Sequence, residues 1–85
     1  MIHKLKIDTQ FFNDVWECKK TAEMRKYDRN FNVGDRLILC EYINKKFTGN
    51  RVYCDITHIL VGTQYGIIDG FCMLSFKLIL RKFHD

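Results

Sequence analysis

The sequence predicts a mainly β, α+β fold: a small sheet curled into a partial barrel, with one helix near the N-terminus. Three observations predict it. Only one stretch, near the N-terminus, repeats its apolar residues at helical spacing. Four later runs are strand-like, with alternation or β-rich apolar character, and are separated by turn formers. A single helix cannot cover both faces of an open five-stranded sheet, so curling the sheet is the better way to protect its edges.

The chain has 85 residues, which bounds it to one domain spanning residues 1–85. A domain of this size buries about 60–65% of the surface its unfolded chain exposes, so its core is modest. Apolar residues make up 47%, with seven Phe, four Tyr and one Trp. That suffices for a packed core and argues against disorder. Proline is absent, so turns fall to Gly, Asn and Asp.

His3 to Ile7, HKLKI, alternates as a short strand. Asp8 or Thr9 is positioned to cap a following helix by accepting from a free first-turn amide. From Gln10 to Lys20 the apolar pairs Phe11/Phe12 and Val15/Trp16 repeat every four residues, which predicts about three helical turns with Trp16 in the core. Lys19 to Lys26, KKTAEMRK, has five charged residues in eight. As a strand it sets Thr21, Glu23 and Arg25 on one face. Tyr27 to Asp35 is a turn region in which Gly34 takes a positive φ. Asp28 and Asp35 flank this turn and are read as bonding nearby amides rather than a catalytic metal.

Arg36 to Ile43 is a strand with apolar residues on both faces, which predicts cover on each side. Asn44 to Asn50 is expected to be a hairpin tip turning at Gly49-Asn50. Arg51 to Val61 alternates, with Val52, Cys54, Ile56, Leu60 and His58 on the apolar parity, so His58 reads as a core histidine. Gly62 to Gly70 is a loop by its three glycines. Phe71 to Leu80 closes the sheet with Cys72, Leu74, Phe76, Leu78 and Leu80 inward, and Arg81 to Asp85 is expected to fray.

The formal charge is +4, with the isoelectric point near 9.0. Lys4, Lys6, Lys19, Lys20, Arg25, Lys26 and Arg29 all lie in the first third. Such a balance favours polyanions, whose counterions are released on contact. Cysteines stand at 18, 40, 54 and 72 without C-x-x-C spacing, which leaves no zinc-knuckle or thioredoxin motif. No signal segment is read in MIHKLK, and no apolar run approaches a membrane span. The expectation is a cytoplasmic protein with reduced thiols, no cofactor, no bound metal and no membrane contact, as a monomer or weak dimer.

Several ordered motifs carry a resemblance: H-x-L-K-I (His3–Ile7), F-F-x-x-V (Phe11–Val15), K-K-T-x-E-x-R-K (Lys19–Lys26), D-R-x-F-x-V-G-D (Asp28–Asp35), L-x-L-x-E-Y (Leu37–Tyr42), F-T-G-x-R-V (Phe47–Val52), T-x-I-L (Thr57–Leu60) and G-F-x-x-L-S (Gly70–Ser75). Together they cover nearly the whole chain. It resembles small bacterial and phage proteins of the ASCH type, within the PUA-like superfamily. The resemblance implies a PUA-like pseudo-barrel of five to six strands, with one helix near the N-terminus. It also implies a groove between barrel and helix, lined by the K-x-x-E-x-R strand, and an RNA or nucleotide ligand. Some relatives of this type resemble amidohydrolases acting on acylated cytidine nucleosides, and others ribonucleases. Lys20 matches the Lys that opens the amidohydrolase motif. Glu23 stands where those relatives have a nucleophilic Thr, and Cys18 stands where a Gly is usual. Catalysis, with Lys20 and Glu23 in the roles, is therefore the alternative to binding.

Without the resemblance, Lys20, Glu23 and Arg25 read as a surface ion-pair row worth about 1 kcal/mol or less. With it, they read as a pocket: Arg25 a planar fork for phosphate or a base edge, Lys20 a point charge, Glu23 an acceptor for a base amine. Thr21 joins that row. Lys4, Lys6, Lys26 and Arg29 fit either a phosphate track or a solvated face. His3 is expected at the pocket rim, and Tyr65 and Tyr27 are loop aromatics able to stack on unpaired bases. A third reading is a phage or mobile-element accessory protein that binds a host protein through aromatic-rich faces.

Overall fold

A computed structural model describes residues 1–84. Five strands and one α-helix follow in the order β1 (Ile2–Asp8), α1 (Thr9–Trp16), β2 (Ala22–Lys26), β3 (Arg36–Ile43), β4 (Lys46–Val61) and β5 (Phe71–Lys82), with a single 3-10 turn at Gln64–Gly66. One sheet contains all five strands in the order β1-β3-β4-β5-β2. Only β1 and β3 run parallel; the other neighbours are antiparallel. The sheet is curled into a half-barrel, as the sequence predicts. No helix among the described residues is long and apolar enough to cross a membrane.

Alternation decides which side of β1 faces inward. His3, Leu5 and Ile7 are buried while Lys4 and Lys6 are exposed. Register then extends the core laterally: Leu5 stands beside Leu39, and Leu39 beside Val52. Phe12 and Val15 of α1 pack into the same cluster, with Leu37, Cys54, Ile56, Cys72, Leu74 and Phe76. Ile38, on the opposite face of β3, is also nearly covered, in line with the two-sided cover predicted for that strand.

Asp8 is the residue that caps α1, accepting from the Gln10 amide at 3.0 Å. The helix has eight residues rather than the expected three turns. It stops because Cys18 adopts φ +61 and the amides of Lys19 and Lys20 fold back onto the Asp14 carbonyl at 2.8 and 3.0 Å. Phe11 is consequently exposed and Trp16 only half-buried. Arg81 from β5 satisfies the helix end, donating from Nε to the Trp16 carbonyl at 2.7 Å. Phe83 stacks on Trp16 with ring centroids 4.6 Å apart. The segment expected to fray is thus held, by Arg81 and Phe83 on the helix and by the His84 amide donating to Asn50 Oδ1 of β4 at 2.7 Å; Asp85 lies outside the described residues.

Two irregularities in β4 correct the sequence reading. The β3–β4 hairpin turns at Asn44 (φ +52) and Lys45 (φ +62), a type I′ pattern that matches strand twist, rather than at Gly49-Asn50. Gly49 and Asn50 instead lie in a bulge: Cys40 pairs with Arg51 while Tyr42 pairs with Phe47. A second bulge falls at Thr57, since Ile56 pairs with Phe76 and His58 with Ser75. It reverses the parity of the remainder of β4. His58 is exposed, while Ile59 and Val61 pack on the core. On β5, Leu80 is likewise exposed, at 55%.

Candidate functional site

Curling the sheet brings its two edge strands, β1 and β2, toward each other without pairing them. Side chains bridge the seam. Arg25 donates from Nη1 to the Lys6 carbonyl at 3.2 Å, and Arg29 from Nη1 to the Lys4 carbonyl at 3.5 Å. On β2, Glu23 sits opposite Leu74 and Arg25 opposite Cys72. Because Leu74 and Cys72 are buried, Glu23 and Arg25 lie on the inner face of the wall. Met24 and Lys26 point outward and are exposed.

Lys20 and Glu23 form an ion pair, Nζ to Oε1, at 3.4 Å, with side chains 26% and 13% exposed. The Lys20 ammonium also lies 5.6 Å from the centre of the Phe11 ring. Lys20 and Thr21 line a hollow of about 260 Å3 between the end of α1 and β5, together with Val15, Cys18 and Phe76. A groove between helix and sheet therefore exists, although Glu23 and Arg25 are set beside it rather than along its lining. Thr21 precedes β2, and its carbonyl accepts from the Phe76 amide at 2.9 Å.

His3 is not at a rim. It is 4% exposed, and its Nε2 donates to Asp35 Oδ2 at 2.8 Å, since an ionised carboxylate can only accept. Phe31 packs edge-on against its ring at 4.7 Å. Arg29 lies over Phe31 at 5.7 Å, so His3 supports the seam from below. Asp35 also accepts from the Asn32 amide at 3.0 Å, the turn bond its position predicts, and from the N-terminal ammonium at 3.3 Å. The His3 bond leads in holding the Asp35 carboxyl below the usual range; burial opposes it, and the Asn32 amide and the N-terminus assist. Tyr65 is 90% exposed at the tip of the β4–β5 loop. Tyr27 joins the base of that loop, its amide donating to the Gly70 carbonyl at 2.8 Å.

Two features escape a reading of the sequence in segments. Glu41 is 7% exposed and has no cationic partner among the described residues. Its oxygens accept from the hydroxyls of Thr9 and Thr48 and from the Asn50 amide, the last two at 2.8 and 3.0 Å. Burial raises its pKa, and these three donors outweigh burial, leaving it lowered. A carboxylate on the core parity of Leu37 and Leu39 was the signal. The second feature is a hollow of about 480 Å3 on the outer side of the sheet, bordered by Lys4, Lys6, Tyr42, Phe47, Asn50 and Arg51.

All four cysteines are free. Burial pushes the Cys54 thiol up to about 12, with Asp55 adding to the shift, and burial raises Cys72 as well. Both are poor nucleophiles. Among the described residues no group of three or more His, Cys, Asp or Glu is placed to hold a metal ion.

Residues 2–76 match the sequence profile of a family described as a domain of unknown function, DUF3850. The chain belongs to the DUF3850 family. The match runs from β1 into β5, so it spans both sides of the seam and the outer hollow, and it stops short of the segment that packs on Trp16. The chain is also 47% identical over 58 residues to an uncharacterized 12.9 kDa protein in the GpA 3′ region of Escherichia phage P2. That alignment takes in 68% of this chain and 53% of the phage protein. The chain thus spans about half the length of this curated relative.

Proposed function

We propose that the chain is an RNA- or nucleotide-binding module of the ASCH, PUA-like type, acting in the cytoplasm as a monomer or weak dimer. Its site is the basic cleft along the K-x-x-E-x-R strand. The observation that carries this reading is the seam itself. Arg25 and Arg29 stand over an unpaired strand edge, Arg25 on one main-chain carbonyl of β1 and Arg29 on one carbonyl of β1 and the Asp28 carboxylate. A guanidinium has five N–H donors, so both keep donors for a phosphate. Lys6, Lys20 and Lys26 add positive charge around them, Tyr65 supplies an open ring at the loop end, and Glu23 offers an acceptor to a base amine.

Filter binding of single-stranded RNA at increasing salt tests this. Affinity falls steeply with salt if phosphates release counterions at the seam, and Arg25→Ala weakens it. A flat salt response overturns the reading.

One observation favours a hydrolase acting on modified nucleosides or RNA as the second reading. The Lys20–Glu23 pair is held at 3.4 Å with little exposure of the carboxylate, beside a hollow between helix and sheet. Glu23 then activates water and Lys20 stabilises the charge that develops. In that case Glu23→Gln abolishes turnover and spares binding. Absence of product from a panel of acylated nucleosides ends the idea.

A further inference from the structure

The hollow on the outer face of the sheet shares β1 with the seam but adds Cys40, Tyr42, Phe47 and Arg51, which the seam does not use. Register sets Lys6 beside Cys40 and Cys40 beside Arg51, so two cations flank a small thiol across three strands. Lys4 lies two residues back on the same face of β1. Among the described residues, Lys4, Lys6 and Arg51 form no ion pair with a carboxylate. The neighbouring carboxylates are engaged elsewhere: Asp8 caps α1, and Glu41 is bonded to Thr9, Thr48 and Asn50.

One wall of the hollow is aromatic. Tyr42 and Phe47 pair across the hairpin edge to face, their centroids 5.0 Å apart. The Lys6 ammonium stands 4.6 Å from the centre of the Tyr42 ring. That contact occupies Tyr42 and holds the cation at the floor, while Phe47 remains 62% exposed. The bulge at Gly49-Asn50 opens the space between hairpin tip and β1. A volume of about 480 Å3 lies within the range of small-ligand sites.

We infer that this groove binds one nucleotide unit, its phosphate on Lys4, Lys6 and Arg51 and its base stacked on Phe47. Cations alone would hold any anion; the open ring beside them selects an anion that carries a flat aromatic group. The unit is either a free nucleotide or one residue of a single strand. The inference does not rest on the seam reading, because the groove lies on the opposite face of the sheet from Glu23 and Arg25.

Nitrogen-15 NMR titration of the whole chain tests it, with adenosine monophosphate, inorganic phosphate and a tetra-adenylate strand as probes. The nucleotide is expected to shift the amides of Lys6, Tyr42, Phe47 and Arg51. Phe47→Ala weakens it roughly tenfold, the scale of one lost stacking contact, and leaves phosphate unchanged. Arg51→Ala weakens both as read at the groove amides, whereas Arg25→Ala acts on the shifts of the seam amides. Tighter binding of the tetranucleotide, with seam amides shifting too, identifies a strand as the source of the unit; equal binding identifies the free nucleotide. Phosphate matching the nucleotide, or nucleotide binding insensitive to Phe47→Ala, overturns the inference, as does an unshifted groove. Loss of RNA binding in Arg25→Ala with the groove intact separates the failure of one site from that of the other.

Discussion

Arg25 on β2 and Lys6 on β1 occupy the two unpaired edges of one sheet, and the Arg25 guanidinium donates to the Lys6 main-chain oxygen across 3.2 Å. The contact closes by side chain a barrel that backbone pairing leaves open. It also holds the fork in place before any ligand arrives, which reduces the ordering cost of binding. Strand edges left bare invite association with other chains; here two arginines cover the edge of β1.

Replacing Arg25 with Ala is expected to weaken single-stranded RNA binding about tenfold and to lower the salt slope by about one phosphate contact. Arg25→Lys restores only part of the affinity, because an ammonium cannot hold a carbonyl and a phosphate with one planar fork. Filter binding at several salt concentrations reads both quantities. Unchanged affinity and slope would place RNA elsewhere on the molecule.

Asp35 makes stability depend on acid. Its pKa lies below the ordinary 3.8, chiefly through the His3 bond. A carboxyl lowered on folding contributes its stability fully above the unfolded value, and that contribution drains away as pH falls through the folded value. Thermal midpoints therefore drop as pH goes below about 3.8, and Asp35→Asn is expected to be less stable at neutral pH with a shallower acid limb. An Asn variant with the same acid limb as the parent would remove Asp35 from this account.

Glu41 ties the start of α1 to the β4 bulge. Glu41→Ala leaves Thr9, Thr48 and Asn50 without their shared acceptor and costs about 1–3 kcal/mol in urea unfolding. Its carboxyl is also lowered, from 4.5, so its share of stability is present above that value and is lost as pH falls through the lower folded one. A change under half a kcal/mol at neutral pH would show that water replaces the network without loss.

Lys45 holds φ +62 in the hairpin turn, a conformation that crowds a Cβ. Lys45→Gly makes the turn Asn-Gly, the pair that type I′ geometry favours. The expected gain is about 1 kcal/mol, read as a higher denaturant midpoint with an unchanged slope. A loss of stability would mean that the chain turns elsewhere, and Gly49-Asn50 is the position to inspect next.

The element order was legible because each strand and the helix carries its own period. HKLKI needs nothing beyond itself to bury Leu5 and Ile7, and Phe12 with Val15 is enough to orient α1. The errors fall where something nonlocal intervenes. His58 shares the parity of Ile56 in sequence, yet the bulge at Thr57 turns it to solvent. The helical stretch reads on paper as far as Lys20, but the helix ends when Cys18 goes left-handed and Arg81, distant in sequence, takes the Trp16 carbonyl. Gly49-Asn50 resembles a turn, and Asn44-Lys45 makes it.

The candidate site divides in the same way. KKTAEMRK announces its charge and its Glu23–Arg25 alternation in eight letters, and the inward direction of that pair follows once β2 lies against β5. Its nearness to Lys6, the burial of His3 on Asp35 and the groove that joins Lys6 to Phe47 and Arg51 are invisible in the chain order. By itself the sequence determined the strands, the helix, the basic N-terminal third and the core residues that lie away from bulges and helix ends, because local period and side-chain chemistry suffice for those. Only the tertiary structure decided which cations share a surface and which polar groups are buried. Those outcomes depend on register, bulges and the closing of the sheet, which bring together residues far apart along the chain.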